Sequence, residues 1–381
     1  MKARPYCILG AEMGLGKTLM VLDLCRELGL SLSVVCPAYL KENWKQEIEK
    51  FTPGLEVEIF SYASLKNVEK FNGDVVCADE AHYLKNLDAK RTQKFHTLIR
   101  TNKPKRMILA SGSPVKNRVG EFFSLLQLCH YGGEYPQFSS YRNLYYKFCN
   151  RFSYERTFEV NGVPIVRFEG VRNNRELAGL IKPIYLRQRV RDVIDLPEKI
   201  HKNVIIKNKS KYDTQMEDLL KDFDEAAYMT LKKSNAIAKV PYTIKLVEDT
   251  IASGEQVVVY SDHIDSIQQI ADKFKVPAIT GAMDSSKRMD VAKSFISGEI
   301  KVLAATIGSF STGVTLTVAN HMVFNDIPFV PTDIDQAEAR IHRIGQKESC
   351  FYYRVYLSEM DEKLTDMVMR KMRDVNKVVE V

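Results

Sequence analysis

Missing from this chain of 381 residues is any apolar run of the ~18–20 residues that a bilayer span requires. The amino terminus carries Lys2 and Arg4 but no apolar stretch long enough for a secretory signal. No membrane partner is expected, and a cytoplasmic location is. No Cys-x-x-Cys pair occurs, and the seven cysteines are scattered and odd in number, which argues against a disulfide framework or a cysteine metal site. Cys7, Cys36 and Cys77 sit inside apolar runs and read as small buried hydrophobes of a reducing compartment. There is one tryptophan, no internal repeat and no low-complexity segment. Strong charge of one sign is also absent. Lys+Arg 55 against Asp+Glu 48 leaves +7, a bias that permits a polyanionic partner without demanding one. Hydrophobic residues at 45% and charged residues at 27% exclude a disordered tail, a collagen and a disulfide mini-scaffold.

What is present is an α/β pattern that occurs twice. Tyr6–Leu9, Leu32–Cys36, Val75–Ala78 and Met107–Ala110 are continuous apolar runs, with helical spacing over Thr18–Leu28 and Leu40–Phe51 between them. Such runs predict strands of a parallel sheet covered on both faces. Val257–Tyr260, Lys301–Ala305 and Met322–Asn325 repeat the theme, with helices predicted over Ser266–Phe274 and Ser286–Ile296. The middle differs. It is rich in aromatics and arginine (Tyr141, Tyr145, Tyr146, Phe148, Phe152), and the stretch around Asn161-Gly162 predicts a hairpin. The expected organisation is a first lobe over 1–130, a helical insertion and linker over 131–200, and a second lobe over 201–381. One helix is expected over Lys211–Met229, burying Met216, Leu219, Leu220, Phe223 and Ala227. A C-terminal helix is expected to bury Leu364, Met367, Val368, Val375 and Val378.

The first predicted strand runs into Ala11-Glu12-Met13-Gly14-Leu15-Gly16-Lys17-Thr18, and a helix follows. Glycines let a loop turn tightly, so that several N–H groups at a helix N-terminus point at phosphate oxygens. In such a P-loop Lys17 reaches the β- and γ-phosphates and the Thr18 hydroxyl binds Mg²⁺. Ala11 stands where the usual pattern has glycine, as in many helicase-type ATPases.

The third strand ends in Asp79-Glu80-Ala81-His82. Carboxylates at a strand's carboxyl end sit where open α/β sheets bind ligands. Asp79 is the expected Mg²⁺ residue and Glu80 the residue that orients and deprotonates water. His82 is expected to couple this box to a neighbour. The fourth strand ends in Ser111-Gly112-Ser113-Pro114, placing two hydroxyls beside a turn. Farther on stands Gln336-Ala-Glu-Ala-Arg340-Ile-His-Arg343-Ile-Gly-Gln346. Read as one helix, it sets Gln336, Arg340 and Arg343 on a shared face, which suits arginine fingers against a nucleotide held by another domain.

Together these strings resemble superfamily 2 helicase-like ATPases, and within them the Swi/Snf family of DNA translocases. The resemblance covers almost the whole chain. It includes Val35–Trp44, Asp79–Asn86, Leu186–Val193 with Leu196-Pro197, Val257–Ser261, Gly308–Leu316 and Arg340–Gln346. Phe168–Leu177 is similar to a segment of the annealing-helicase subgroup. Ser111-Gly-Ser-Pro114 replaces the commoner Thr-Gly-Thr-Pro, and Ile327–Pro331 replaces the usual Trp-Asn-Pro. Ten residues precede Ala11, fewer than the family carries with its adenine-reading glutamine. Weakened adenine recognition, or a chain that begins part-way through a longer one, is the corresponding expectation.

The resemblance implies two RecA-like lobes with ATP and Mg²⁺ between them, Lys17, Thr18, Asp79 and Glu80 from the first lobe and Arg340 and Arg343 from the second. It implies a DNA-stimulated ATP hydrolase that translocates on double-stranded DNA through sequence-independent backbone contacts. It sets Lys85, Lys116, Asn117, Thr312 and Gly313 near the DNA path. A strand-separating or annealing helicase, and a catalytically silent DNA- or partner-binding scaffold, remain as alternatives. A minimal motor of this kind would be nucleoid-associated in a bacterial or viral setting.

Overall fold

The structure is a computed structural model. It describes the chain apart from Met13, 113–117, 131–137, 161–162, Ile194, 208–209, 311–313, Phe329 and 377–381, and apart from the side chains of 130, 138–142, 158–160, 163–165, 191, 310 and 371–376. The chain divides into two compact units, Met1–Val193 with Lys371–Val381, and Ile194–Arg370. The division falls inside the segment expected as insertion and linker.

The first unit is built from β1 (Tyr6–Ala11), α1 (Lys17–Leu28), β2 (Leu32–Cys36), α2 (Lys41–Phe51), β3 (Val57–Ser61), β4 (Val75–Asp79), α3 (Lys90–Asn102) and β5 (Arg106–Ala110). There follow α4 (Phe123–His130), α5 (Phe138–Phe152), β6 (Tyr154–Val160), β7 (Val163–Glu169), α6 (Asn174–Ile181) and β8 (Tyr185–Gln188). Six strands form one parallel sheet in the order β3-β2-β4-β5-β1-β8. The inner strands are buried along their length, which is why they read as unbroken apolar runs. Cys7, Cys36 and Cys77 lie in this interior as free thiols. β6 and β7 pair antiparallel, Tyr154 opposite Glu169; the turn at Asn161-Gly162 lies outside the described residues. β8, from the stretch expected as linker, is a sixth strand beside β1. Tyr185 lies so close over β1 that a Cβ on Gly10 would meet its ring at 2.2 Å, so no larger residue fits there.

The second unit contains β9 (Lys199–Ile205), α7 (Asp213–Lys221), α8 (Glu225–Ala252), β10 (Val257–Ser261), α9 (Ile264–Phe274), β11 (Ala278–Ile279) and α10 (Ser285–Ile296). It continues with β12 (Val302–Thr306), β13 (His321–Phe324), α11 (Pro331–Glu338), β14 (Cys350–Tyr356) and α12 (Glu359–Asn376). Its sheet is also six-stranded and parallel, ordered β11-β12-β10-β13-β14-β9. The single helix expected over Lys211–Met229 is two. Asp222 leaves the helical conformation, and Asp224 caps α8 by accepting from the Ala226 N–H at 3.1 Å. Met216 and Leu219 are buried as expected, but Ala227 is exposed and Tyr228 takes the inner position. Leu364 and Val368 of α12 are buried; Val378 and the side chain of Val375 lie outside the described residues.

α8 runs through Pro241, whose ring removes one helical hydrogen bond. Its inner face mixes Leu231, Ala236, Val240 and Val247 with the buried polar residues Lys232, Asn235, Lys239 and Thr243. Each ammonium meets a carboxylate there. Lys232 pairs with Asp262 and lies 3.7 Å from Asp326, and Lys239 lies 2.6 Å from Asp361.

Candidate nucleotide site

The carboxyl edge of the first sheet carries the glycine loop and the acidic pair singled out in the sequence. β1 ends at Ala11, and the chain turns through Gly14 (φ 83°) and Gly16 (φ 72°) into α1, which begins at Lys17. These left-handed positions favour glycine because it lacks a Cβ, and they aim the open N-terminus of α1 at the loop. Lys17 curls back over the turn, its Nζ donating to the Ala11 carbonyl at 3.1 Å. Thr18 is half-buried in the first turn. Glu12, Gly14 and Leu15 line the loop; Met13 lies outside the described residues.

β4 delivers Asp79 to the same edge, two places along from β1. Trp44 Nε1 donates to Asp79 Oδ2 at 2.9 Å, the Glu80 N–H to Oδ1 at 2.9 Å, and the Tyr62 hydroxyl to the Asp79 carbonyl at 2.8 Å. Burial, and then the neighbouring charge of Glu80, push the Asp79 carboxyl up to about 6 against the pull of the Trp44 hydrogen bond and of Lys17. A carboxyl raised by burial and by an adjacent carboxylate suits a hard divalent cation, whose charge would lower it again. Among the described residues no cluster of three or more His, Cys, Asp or Glu is arranged to hold a metal; the Asp79 carboxylate and the Thr18 hydroxyl are the oxygen donors that the sequence pattern assigns to Mg²⁺.

Glu80 is held at φ 53°, ψ 51°. For a residue with a Cβ this left-handed conformation costs about 1–2 kcal/mol, and such strain concentrates at functional sites. It turns the carboxylate toward His82, whose Nδ1 is 3.2 Å from Glu80 Oε2 and 3.4 Å from Ser111 Oγ. His82 thereby joins the end of β4 to the end of β5. Lys85 is engaged elsewhere, with Nζ 2.8 Å from Glu121 Oε1. Ser113, Lys116 and Asn117 lie outside the described residues, as do Thr312 and Gly313 of the second unit.

In the second unit the string from Gln336 to Gln346 is not one helix. α11 stops at Glu338, and Arg340, Ile341 and Gln346 make tighter i to i−3 bonds. The carbonyls a continuing helix would use are taken. Leu316 N–H donates to the Arg340 carbonyl at 2.9 Å, and Gln346 Nε2 donates to the carbonyls of Ala319 (2.9 Å) and Ile341 (3.1 Å). Gly345 at φ 102° closes the turn. Gln336 thus sits on a helix while Arg340 and Arg343 sit on a folded turn, and the shared helical face does not exist. Arg340 is buried. Arg343 and Gln336 are half-buried.

Several residues escape pattern reading. Trp44 holds Asp79; in the sequence it shows only as the sole tryptophan and the end of the Val35–Trp44 string, with no sign of that contact. Glu338, buried, lies 3.1 Å from Lys199, 2.9 Å from His201 and 3.5 Å from Arg354. Burial works to raise its carboxyl, but the His201 and Lys199 partners outweigh this and keep it below the ordinary range.

The SNF2-related domain family matches residues 2–67 and 57–243, and the helicase conserved C-terminal domain matches 238–345. The chain belongs to the SNF2-related family. Its curated relatives include a SWI/SNF-related matrix-associated actin-dependent regulator of chromatin subfamily A-like protein 1 homolog of Caenorhabditis elegans, 28% identical over 96% of this chain and 58% of the relative. The human DNA annealing helicase and endonuclease ZRANB3 is 25% identical over 97% of this chain and 38% of its own length. Bacillus subtilis YwqA, a putative ATP-dependent helicase/translocase by name, is 22% identical over 97% of this chain and 46% of its own length. The chain thus spans roughly two-fifths to three-fifths of the relatives it matches. Among solved structures, the Sulfolobus solfataricus SWI2/SNF2 ATPase core in complex with dsDNA aligns at 21% identity and a TM-score of 0.41, covering 92% of this chain and 83% of that one. Among the described residues no helix of this SNF2-related chain is long and apolar enough to cross a membrane.

Proposed function

We propose that this chain hydrolyses ATP in response to duplex DNA and uses the cycle to move along it. The observation that carries the reading is the pairing, on one parallel sheet edge, of a left-handed glycine loop opening α1 with Asp79 and a strained Glu80 ending β4. Loop amides and Lys17 grip the triphosphate. Asp79 and Thr18 hold the divalent cation, which when bound neutralises phosphate charge. Glu80 orients the attacking water and takes its proton, with His82 fixing its carboxylate. Arg343, the more accessible of the two arginines, approaches the γ-phosphate from the second unit, and Arg340 braces the turn that presents it. An arginine finger contributes about 10³–10⁵ in rate, or about 4–7 kcal/mol.

Closure of the two units on nucleotide would be favoured by DNA bound across both, by differential affinity for the closed state. His82 and Ser111 pass that change between strands. Lys116, Asn117, Thr312 and Gly313 contact phosphates, and Lys85 does so on leaving Glu121. Binding is accordingly sequence-independent and weakens steeply with salt.

The experiment is phosphate release with no nucleic acid, single-stranded DNA, duplex DNA and RNA in parallel, for the wild type and Glu80→Gln. Duplex DNA stimulates the wild type, and the variant loses about 10²–10⁴ of that rate while still binding nucleotide. Equal release by both sinks the reading. The ZRANB3 relatives, annealing helicases by name, favour a second reading, strand annealing. A pure translocase displaces a triplex third strand without opening or closing duplexes, so triplex-displacement and annealing assays side by side separate the two.

A further inference from the structure

The stretch from α5 to β8, all within the first unit, carries most of the chain's excess charge. Residues 141–190 hold ten Lys and Arg, four Glu and no Asp. They supply six of the seven net positive charges, while the rest of the chain is close to balanced. Charge concentrated on one part of a fold is the electrostatic footprint of a polyanionic partner. None of these residues belongs to the glycine loop or the acidic box. Within the stretch, the β6–β7 hairpin has two unlike faces. Its register sets Tyr154 opposite Glu169, Glu155 opposite Phe168, Arg156 opposite Arg167 and Thr157 opposite Val166. Side chains alternate along a strand, so Phe168 lies on one face and Tyr154, Arg156, Arg167 and Glu169 on the other. Phe168 is buried and meets the Tyr146 ring of α5 edge-on, with centroids 5.8 Å apart. That contact docks the hairpin on α5. The opposite face is largely open: Tyr154 is 53% exposed and the Arg156 side chain 67%.

Two features of the open face run against what a hairpin alone would select. Arg156 and Arg167 stand directly opposite one another. Like charges so placed destabilise a strand pair, and a two-stranded sheet has little stability in reserve. Glu169, 3.8 Å from Arg156, is the one acid among the described residues of this face. The second feature is that Tyr154 is exposed yet held in place. A Cβ on Gly170, itself at φ 65°, would lie 3.2 Å from its ring, and the Arg172 guanidinium sits over the ring, 5.9 Å from the centroid. Arg172 is anchored in turn, its Nε donating to the Arg151 carbonyl at 3.2 Å and its backbone N–H to the Phe152 carbonyl at 2.9 Å.

We infer that this face is a contact for single-stranded DNA, in which Tyr154 and Arg172 stack an unpaired base and Arg156 and Arg167 meet phosphates. In a duplex the base faces are already stacked on one another. Only an unpaired base can lay its face on a tyrosine or a guanidinium. A surface for duplex phosphates alone has no use for an exposed ring held in position. Phosphates bring to the opposed arginines the negative charge that their own strands supply only through Glu169. The contact lies outside the residues proposed to hydrolyse ATP and needs no hydrolysis to be seen, so either proposal can fail alone.

The full chain is made as wild type, Tyr154→Ala, Tyr154→Phe and Arg156→Gln, with thermal unfolding measured for each. Binding is read by fluorescence anisotropy without nucleotide. The labelled probes are a thymidine oligonucleotide of about 12 nucleotides, within the usual range of single-strand site sizes, the same strand built with abasic sites, and a blunt duplex. Wild type is expected to prefer the base-bearing strand to the abasic one by about tenfold, the order of one stacked base. Tyr154→Ala loses about that factor on the base-bearing strand and nothing on the abasic one, while Tyr154→Phe, which keeps the ring, stays within about twofold of wild type. Arg156→Gln weakens both single strands and flattens the log–log salt dependence by about 0.7, the share of one phosphate contact. Duplex binding and duplex-stimulated phosphate release stay within about twofold of wild type in all three variants, because the sites are separate. The inference is overturned if wild type binds the abasic strand as tightly as the base-bearing one. It is equally overturned if Tyr154→Ala weakens duplex and single strand alike, which would make the face a duplex contact. Should Tyr154→Ala not fold, the abasic comparison on the wild type decides. A chain that shows these single-strand preferences but hydrolyses no ATP would refute the motor reading and leave the contact standing.

Discussion

At the carboxyl edge of the first sheet, Asp79 and Glu80 stand side by side, one buried with its carboxyl raised to about 6 and the other in left-handed backbone. At the same edge of the second sheet, Asp262 and Asp326 follow β10 and β13, and they meet Lys232 from α8. Asn325 beside them accepts from Thr243 at 2.7 Å and donates to the Ala236 carbonyl at 2.9 Å. Both sheets are six-stranded and parallel, and both offer the strand-end position where open α/β sheets bind ligands. The second is closed from within by a helix that brings its own cations. The first is flanked by a glycine loop, and there the pull of Lys17 still leaves the Asp79 carboxyl raised. Similar topology thus yields, in one case, the acidic edge beside a glycine loop that is proposed to take nucleotide and, in the other, an edge whose acids already meet a lysine of the same unit.

That contrast can be broken by exchanging the charge balance of each edge. The largest effect on stability is expected in the second unit. Lys239→Met leaves Asp361 buried without its cation, and losing one partner of a buried pair costs about 3–5 kcal/mol; a urea titration reads it as a fall in midpoint. Removing charge from the first edge should do the reverse. The Asp79 carboxyl is raised in the folded state, so the stability tied to its neutral form is complete below its ordinary range near pH 4 and is lost as pH rises through about 6. Asp79→Asn should therefore stabilise the cation-free protein by about 1–3 kcal/mol at pH 8, with the difference vanishing below pH 4, while phosphate release is abolished. An Asp79→Asn protein equally or less stable at pH 8 would contradict the idea of a carboxyl held raised by burial and by Glu80. A smaller gain, about 1 kcal/mol, is expected from Glu80→Gly, which relieves the left-handed backbone; differential scanning calorimetry would show a raised Tm in a protein that no longer releases phosphate.

Pattern reading reached the strands that are buried on both faces, because a short unbroken apolar run bounded by turn residues suits a strand with no solvent side. It missed the outer ones for a physical reason. β9, Lys199–Ile205, is largely exposed, and β3 is half-buried along most of its length, so neither shows an unbroken apolar run. α8 is hidden twice, by Pro241 and by polar residues interrupting its inner face, among them Lys232 and Lys239, whose burial depends on carboxylates distant in sequence. The candidate site was legible where glycine and carboxylate positions follow local rules, at Gly14, Gly16, Lys17, Asp79 and Glu80. It was misread at the arginines. Helical spacing between Gln336 and Arg343 is real in the sequence, but the Leu316 N–H and the Gln346 side chain claim the Arg340 and Ile341 carbonyls that a continuing helix would need. Trp44 and Glu338 reveal their parts only once strands and helices are assembled.

The central claim is that one unit grips the triphosphate and the other completes its chemistry. Arg343→Ala tests this most directly, with nucleotide binding and duplex-stimulated phosphate release measured on the same preparation. The account predicts a nucleotide affinity within about threefold of wild type and a turnover lower by about 10³ or more. Turnover at the wild-type rate, or a loss of binding that accounts for the whole fall in rate, would contradict it.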